Sequence, residues 1–274
     1  MHPTRTPTLF DRVRRETHSL RLSRLRSALG DAPSILRCHR FGHGDGEDDG
    51  SDADDVLARY RERAGEVHDR VVHDHDVSCV ELLGSTGSGK TLLLERLAER
   101  APPDETIGAI VGDVAGDDDA RRLEARGIDV VNVNTGKECH LDATLVADAL
   151  AEFDLAALDR LYLENVGNMA CPADFPLGAG TRVLVVSTTE GDDVVRKHPL
   201  LFQACDAAVV NKADLAAAVG ADTERMRDDI NEVAPGMAVF ETNARDGDGI
   251  DALDSFLADG AHDEHAHAHG HDHD

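Results

Sequence analysis

The sequence predicts an α/β fold built on a doubly wound, mostly parallel sheet. Two observations point there. Short apolar runs of strand length alternate with helical patterns along most of the chain, and the first run passes directly into a glycine-rich loop that opens a helix. The runs span 77–83, 107–111, 130–133, 160–163, 182–186, 207–210 and 238–240. They are nearly continuous in Val, Ile, Leu and Ala, as expected of strands covered on both faces. Helical patterns separate most of them, at 91–100, 117–126, 141–151, 222–232 and 249–258. A further helical stretch precedes the first strand at 55–76, with Val56, Leu57, Tyr60, Ala64 and Val67 on its apolar face.

Three parts are expected along the 274 residues: a segment 1–54, a nucleotide-binding domain 55–260 and a tail 261–274. Residues 1–40 hold nine Arg against three acidic residues, a net +6, whereas the whole chain carries −26. That arm reads as a docking element, as a stretch without fixed structure, or as a start set too far upstream. Residues 42–54 read as a flexible acidic linker. The acidic excess fits a surface adapted to a high-salt cytoplasm and leaves the main domain without a basic footprint for nucleic acid. No apolar run approaches the ~20 residues of a membrane span, and no signal peptide is expected at the start of the sequence. Five scattered cysteines (Cys38, Cys79, Cys139, Cys171 and Cys205) suit a reducing compartment rather than a disulfide framework.

The glycine-rich loop reads Gly84-Ser-Thr-Gly87-Ser88-Gly89-Lys90-Thr91, the G-x-x-x-x-G-K-[ST] pattern. Its backbone N–H groups and the following helix end suit phosphates, Lys90 suits the β/γ oxygens, and the Thr91 hydroxyl suits Mg²⁺. Asn211-Lys212-Ala213-Asp214 follows a later strand. Asp214 there can accept from the two Watson–Crick donors of guanine, which adenine cannot supply, and Lys212 can cover the base plane, so the nucleotide expected is GTP. Thr242-Asn243-Ala244 is a weaker candidate for a backbone contact to the base.

Two further strands end in acids, Asp113 and Glu164, and ligands of open parallel sheets bind at such carboxyl ends. Both are expected near the phosphates and Mg²⁺. Glu164-Asn-Val-Gly167 reads as a variant of the D-x-x-G switch that senses the γ-phosphate through a glycine N–H. Asp119, expected in the loop after Asp113, is a candidate for holding Mg²⁺ or the attacking water, or is one more surface acid. Cys139, His140 and Cys171 are soft-to-borderline ligands suited to Ni²⁺ or Zn²⁺, and Cys171 sits four residues past Gly167. The tail adds His262, His265, His267, His269, His271 and His273, whose His-x-His spacing suits borderline divalent ions without a fixed cage.

Taken together, T-L-L-L-E-R-L after the phosphate loop, G-D-V-A-G-D-D-D-A-R-R-L, T-G-K-E-C-H-L-D-A, L-E-N-V-G-N-M-A-C-P, S-T-T-E-G-D-D and N-K-A-D-L resemble the HypB family of nickel-incorporation GTPases. The resemblance covers about 77–258, and its specific parts are E-C-H-L-D-A and E-N-V-G-N-x-x-C-P. It implies a SIMIBI-like P-loop GTPase that dimerises with GTP and carries a metal at the dimer interface on Cys139, His140 and Cys171. It also implies nickel delivery to a [NiFe]-hydrogenase large-subunit precursor with a zinc-containing HypA-type partner. The chain departs from some members in lacking an N-terminal C-x-x-C-G-C site, and Cys38-His39 is no substitute. Gly116 stands where many members have Thr or Ser. The UreG-like urease nickel chaperone is the nearest alternative, but its pattern has Cys-Pro-His in place of Cys139-His140. A nickel store with a vestigial nucleotide site is a second alternative, opposed by the intact Lys90, Thr91 and Asp214.

Overall fold

The computed structural model describes residues 51–113, 116–136, 140–169 and 175–268, with side chains from 57 to 259. Seven strands form one all-parallel sheet: β1 Ser78–Leu83, β2 Ile107–Asp113, β3 Asp129–Asn134, β4 Arg160–Glu164, β5 Thr181–Ser187, β6 Ala207–Asn211 and β7 Ala238–Thr242. Their order across the sheet is β3-β2-β4-β1-β5-β6-β7. All seven predicted runs are strands, most of them one or two residues longer at the carboxyl end than the apolar stretch alone. These strands end in Asp113, Asn134, Glu164, Ser187, Asn211 and Thr242, polar groups carried to the carboxyl end of the sheet. The chain winds outward from β1 in both directions, so β1 lies at the topological switch point where such folds bind ligands.

Burial follows position in the sheet. Every residue of β4 and β6 is buried, while the edge strands β3 and β7 are mostly half-buried or exposed. Helices α1 (Ser51–His68), α2 (Lys90–Ala98), α3 (Asp118–Glu124), α4 (Ala143–Ala149), α5 (Val194–Lys197), α6 (Pro199–Gln203), α7 (Ala216–Val219), α8 (Thr223–Val233) and α9 (Ile250–Ala268) complete the described domain. One face of the sheet packs Val80, Leu82, Tyr162, Val183 and Val185 against Leu93, Leu94 and Leu97 of α2 and Leu253 and Leu257 of α9. Each such fully buried leucine stabilises the fold by about 1.5–3 kcal/mol. The other face carries two separate clusters. Val67, Val71, Val146 and Leu150 cover Ile110, Leu161 and Leu163, while Phe202, Met226 and Ile230 cover Leu184, Val186 and Val210.

Several helices differ from expectation. The first begins by Ser51, earlier than 55, and passes into a π-turn at Asp69–His73 that buries the consecutive Val71 and Val72. The crossover from β5 to β6 holds α5 and α6, short helices with too few turns to show periodicity. Helix α9 continues from the predicted end at 258 to Ala268. Beyond 258 the sequence is a His- and Asp-rich run in which apolar periodicity no longer reports the helix.

Glu81 breaks the apolar run of β1 and lies on the seam between the two clusters of the second face. It is fully buried, and its two oxygens are bonded to Arg182 Nε at 2.8 Å and Asn165 Nδ2 at 3.0 Å. Burial disfavours the charged Arg182, but Glu81 beside it raises the guanidinium above its ordinary value. Replacing one partner of such a pair strands the other. Glu81→Leu is expected to cost about 3–5 kcal/mol in chemical denaturation, and Glu81→Leu with Arg182→Met is expected to cost less than the single change.

Candidate nucleotide and metal site

The carboxyl end of β1 is crowded by backbone, and the loop that leaves it depends on small residues. A methyl at Gly84 would meet the Val185 carbonyl oxygen at 2.1 Å, and Gly84, Gly87 and Gly89 all have positive φ. Gly89 then starts α2, whose first residues are Lys90 and Thr91. Lys90 Nζ donates to the carbonyls of Gly84 and Ser85, each at 3.2 Å, which curls the side chain over the loop. Ser88 is fully buried beneath it.

Glu164 closes the site from β4, the neighbour of β1. Thr91 Oγ1 donates to Glu164 Oε1 at 2.7 Å, while buried Glu164 Oε2 has no hydrogen-bond partner among the described residues. A hydroxyl and two carboxylate oxygens, one of them unsatisfied, form a hard oxygen set that fits Mg²⁺. Burial pushes the Glu164 carboxyl up to about 7, against the pull of Lys90 and the Thr91 hydrogen bond. Burial likewise lowers the Lys90 ammonium, opposed by Glu164, Asp119 and Glu190.

The segment after Glu164 is fastened to the phosphate loop. Thr86 Oγ1 donates to the Gly167 carbonyl at 3.1 Å, and Gly84 and Asn168 form an isolated bridge. A methyl at Gly167 would lie 2.3 Å from Thr86 Oγ1 and 2.7 Å from the Thr86 backbone, so the closeness itself requires glycine. Asn165 is buried between this segment and the next. Its Oδ1 accepts from Leu141 N at 3.0 Å and Val166 N at 2.9 Å.

Asp113 lies at the end of β2, where its carbonyl accepts from Thr135 N at 2.9 Å. A methyl at Gly116 would approach Asp113 Oδ2 to 2.8 Å, so this position is crowded by the carboxylate. Asp119 is in the first turn of α3 and not in the preceding loop. It is near enough to Lys90 and Glu164 to bias both, and it pairs with Arg122 at 3.1 Å.

The base-side loop is built on Asn211. Buried Asn211 donates through Nδ2 to the Ser88 carbonyl at 2.9 Å, and its Oδ1 accepts from Thr242 Oγ1 and Ala244 N, each at 3.1 Å. Within Thr242-Asn243-Ala244, the weaker candidate for a backbone contact to a base, the Ala244 N–H here bonds Asn211. Lys212 adopts left-handed φ 59, a costly conformation for a side-chain-bearing residue. Its carbonyl accepts from Thr188 Oγ1 at 2.7 Å and its Nζ reaches the Gly87 carbonyl at 2.6 Å. Asp214 follows in an exposed turn.

Of the expected soft-metal set, His140 is described, while Cys139 and Cys171 lie outside the described residues. His140 is buried and stacks on Phe175 with ring centroids 4.3 Å apart, which brings the chain after Cys139 against the chain after Cys171. Among the described residues, no three His, Cys, Asp or Glu side chains gather into a metal site. His262, His265 and His267 lie on the continued α9, and His269, His271 and His273 lie outside the described residues.

Sequence reasoning missed Glu81, Asn165, Thr86 and Ser187. Glu81 was visible as a charge inside an apolar strand. Ser187 and Glu190 were visible as a Ser-x-x-Glu capping box, which the structure forms with Ser187 N bonded to Glu190 Oε1 at 2.9 Å. Asn165 carries no comparable signal outside its motif.

The CobW/HypB/UreG nucleotide-binding domain matches residues 78–241, more than half of the chain. The probable hydrogenase maturation factor HypB of Methanocaldococcus jannaschii is 43% identical over 205 residues, covering 75% of this chain and 92% of that one. The chain belongs to the HypB family. Among solved HypB structures, that of Archaeoglobus fulgidus matches with TM-score 0.69 and 41% identity, covering 74% of this chain and 99% of that one. HypB from Helicobacter pylori, determined in complex with nickel, matches with TM-score 0.71 and 29% identity, covering 78% of this chain and all of that one. The expected HypB resemblance and the doubly wound P-loop fold are therefore both borne out.

The raised Glu164 carboxyl has a measurable consequence in this HypB-family chain. Without metal or nucleotide, native Glu164 keeps a proton that the unfolded chain releases near 4.5. Folding therefore takes up a proton between pH 4.5 and about 7, and stability falls as pH rises through that window. The stability of the wild type relative to Glu164→Gln is expected to fall by on the order of 1–3 kcal/mol across it. Denaturant melts at several pH values measure this, and a constant difference contradicts it.

Proposed function

We propose that this chain is a cytoplasmic, metal-regulated GTPase that binds nickel and assists its insertion into a [NiFe]-hydrogenase large-subunit precursor. In this reading it forms a homodimer with GTP bound and works with a HypA-type partner. The observation that carries the reading is the hydrogen bond from Leu141 N to Asn165 Oδ1. It joins the residue next to His140 directly to the Glu164–Gly167 segment, so a nickel-bearing stretch and a phosphate-sensing stretch share one buried side chain. The names of similar proteins add support: hydrogenase maturation factor for the Methanocaldococcus jannaschii relative, and a nickel complex for the Helicobacter pylori structure. A relative from Helicobacter hepaticus, 37% identical over 185 residues (66% of this chain and 76% of that one), is called a hydrogenase/urease maturation factor. That name supports urease as a second client.

The chemistry follows from the residues. The N–H groups of 84–91 and Lys90 bind the phosphates, Lys90 leaving its two loop carbonyls to do so. Thr91 and Glu164, with Asp113 and Asp119 nearby, would hold Mg²⁺. When bound, the ion neutralises charge that develops on the β and γ oxygens. Asp214 accepts from the guanine edge, and Lys212 lies over the base. Gly167 reports the γ-phosphate through its N–H, and movement there reaches Leu141 through Asn165. Nickel is the cargo, held by Cys139, His140 and Cys171 across two copies, and the six tail histidines retain further ions more weakly. Zinc would fit the same ligands.

Asp214→Asn is expected to weaken GTP by about 2–4 kcal/mol while the wild type discriminates against ATP. Lys90→Ala is expected to abolish hydrolysis, which in the isolated wild type should run near the ~10⁻⁴–10⁻² s⁻¹ of unassisted GTPases. Cys139→Ala or Cys171→Ala should remove one tight nickel equivalent per chain and leave hydrolysis. Equal affinity for ATP and GTP, or no nickel bound by the wild type, overturns the reading.

A further inference from the structure

We propose that Arg122 is a positioning residue for GTP hydrolysis: clamped to the phosphate-loop helix by Glu95, it holds Asp119 at the phosphate end of the site. The proposal rests on the GTPase reading above and adds a residue to it.

Glu95 lies on α2, one turn beyond Thr91, with a side chain only 5% exposed. A carboxylate this buried needs cationic partners. Among the described residues it has two, both from the α3 region: Arg126 Nη2 donates to Oε2 at 3.0 Å, and Arg122 Nη2 lies 2.6 Å from Oε1 as an ion pair without hydrogen-bond alignment. The other amine of Arg122 reaches Asp119 Oδ1 at 3.1 Å. An exposed Asp–Arg pair three residues apart on a helix would by itself hold little. Here the charge of buried Glu95 holds one amine of the guanidinium close, and the other amine donates to Asp119 Oδ1. The connection runs from Thr91 along α2 to Glu95, across to Arg122 and back to Asp119. It places an acid from α3 in register with the phosphate-loop helix without direct contact between them.

The charges converge on the reacting end. Asp119 acts on both Lys90 and Glu164, and Arg122 acts on Glu164, so all four groups share one local field. Arg126 shares Glu95 with Arg122 but turns its other amine to Glu99 and not to Asp119. That difference supplies an internal control: loss of Arg126 removes a Glu95 partner and leaves the hold on Asp119.

Single-turnover GTP hydrolysis and GTP affinity are measured for the wild type, Arg122→Ala, Arg122→Lys, Arg126→Ala, Asp119→Asn and Asp119→Asn with Arg122→Ala. Arg122→Ala is expected to slow hydrolysis about tenfold to a hundredfold, as a small misplacement does, with GTP affinity changed less than about threefold. Arg122→Lys keeps the charge but cannot bridge two carboxylates, so it should stay slow even if Arg122→Ala fails to fold. Arg126→Ala should hydrolyse like the wild type. In the Asp119→Asn background, Arg122→Ala should add less than about threefold, because the group it positions is gone. Equal slowing by Arg126→Ala, full rescue by Lys, or a fully additive double variant overturns the proposal. A wild type that hydrolyses no GTP overturns the reading beneath it, whereas an active wild type matched by Arg122→Ala overturns the role of Arg122 alone.

Discussion

The hydrogen bond between Asn165 and Glu81 is the contact on which the rest of the site depends. A carboxylate buried in the central strand is tolerable only when its oxygens are satisfied, and β1 offers nothing of its own to satisfy them. Arg182 supplies one side from β5 and Asn165 the other from the turn after β4. With its N–H₂ committed to Glu81, Asn165 must face its carbonyl oxygen toward the amides of Leu141 and Val166. Three segments distant in sequence are thus held by one amide, and Glu164 and Gly167, on either side of it, inherit their positions.

A second constraint is the absence of space at the carboxyl end of the sheet. The phosphate loop touches Val185 of β5, the Asn211 side chain of β6 and the segment after β4, at distances that exclude even a methyl. Packed this closely, the loops cannot shift independently, because cores and interfaces rearrange between discrete states rather than deforming smoothly. Burial then acts oppositely on the two charges inside, raising Glu164 and lowering Lys90. Each is partly restored by the other, so the polar chemistry of the site is held by the same close packing that shapes it.

Much of this was legible in the sequence. The seven strands were visible because parallel strands buried on both faces read as unbroken apolar runs, and the phosphate loop because its glycines and Lys90 carry chemistry at fixed spacing. Strand ends pointed to Asp113 and Glu164, and the Asn211–Asp214 motif is joined to the phosphate loop by the Asn211 and Lys212 bonds. What stayed hidden were partnerships between distant residues. Nothing local in Arg182 or Arg122 announces a buried carboxylate opposite it, and α5 and α6 are too short to show a period. The continuation of α9 was missed because the sequence beyond 258 turns to a His- and Asp-rich run without apolar periodicity.

In the proposed function, the stretch around His140, assigned to nickel, and the Glu164–Gly167 stretch, assigned to the γ-phosphate, are joined through Asn165. Nickel affinity measured with GDP and with a non-hydrolysable GTP analogue, in the wild type and in Asn165→Ser, tests it most directly. The account predicts that the two nucleotides give the wild type nickel affinities about 5–150-fold apart, the range of ordinary allosteric coupling. In Asn165→Ser that ratio should fall toward one, with nickel and nucleotide each binding more weakly but measurably. A wild-type ratio of one, or the same ratio in both proteins, would contradict the account.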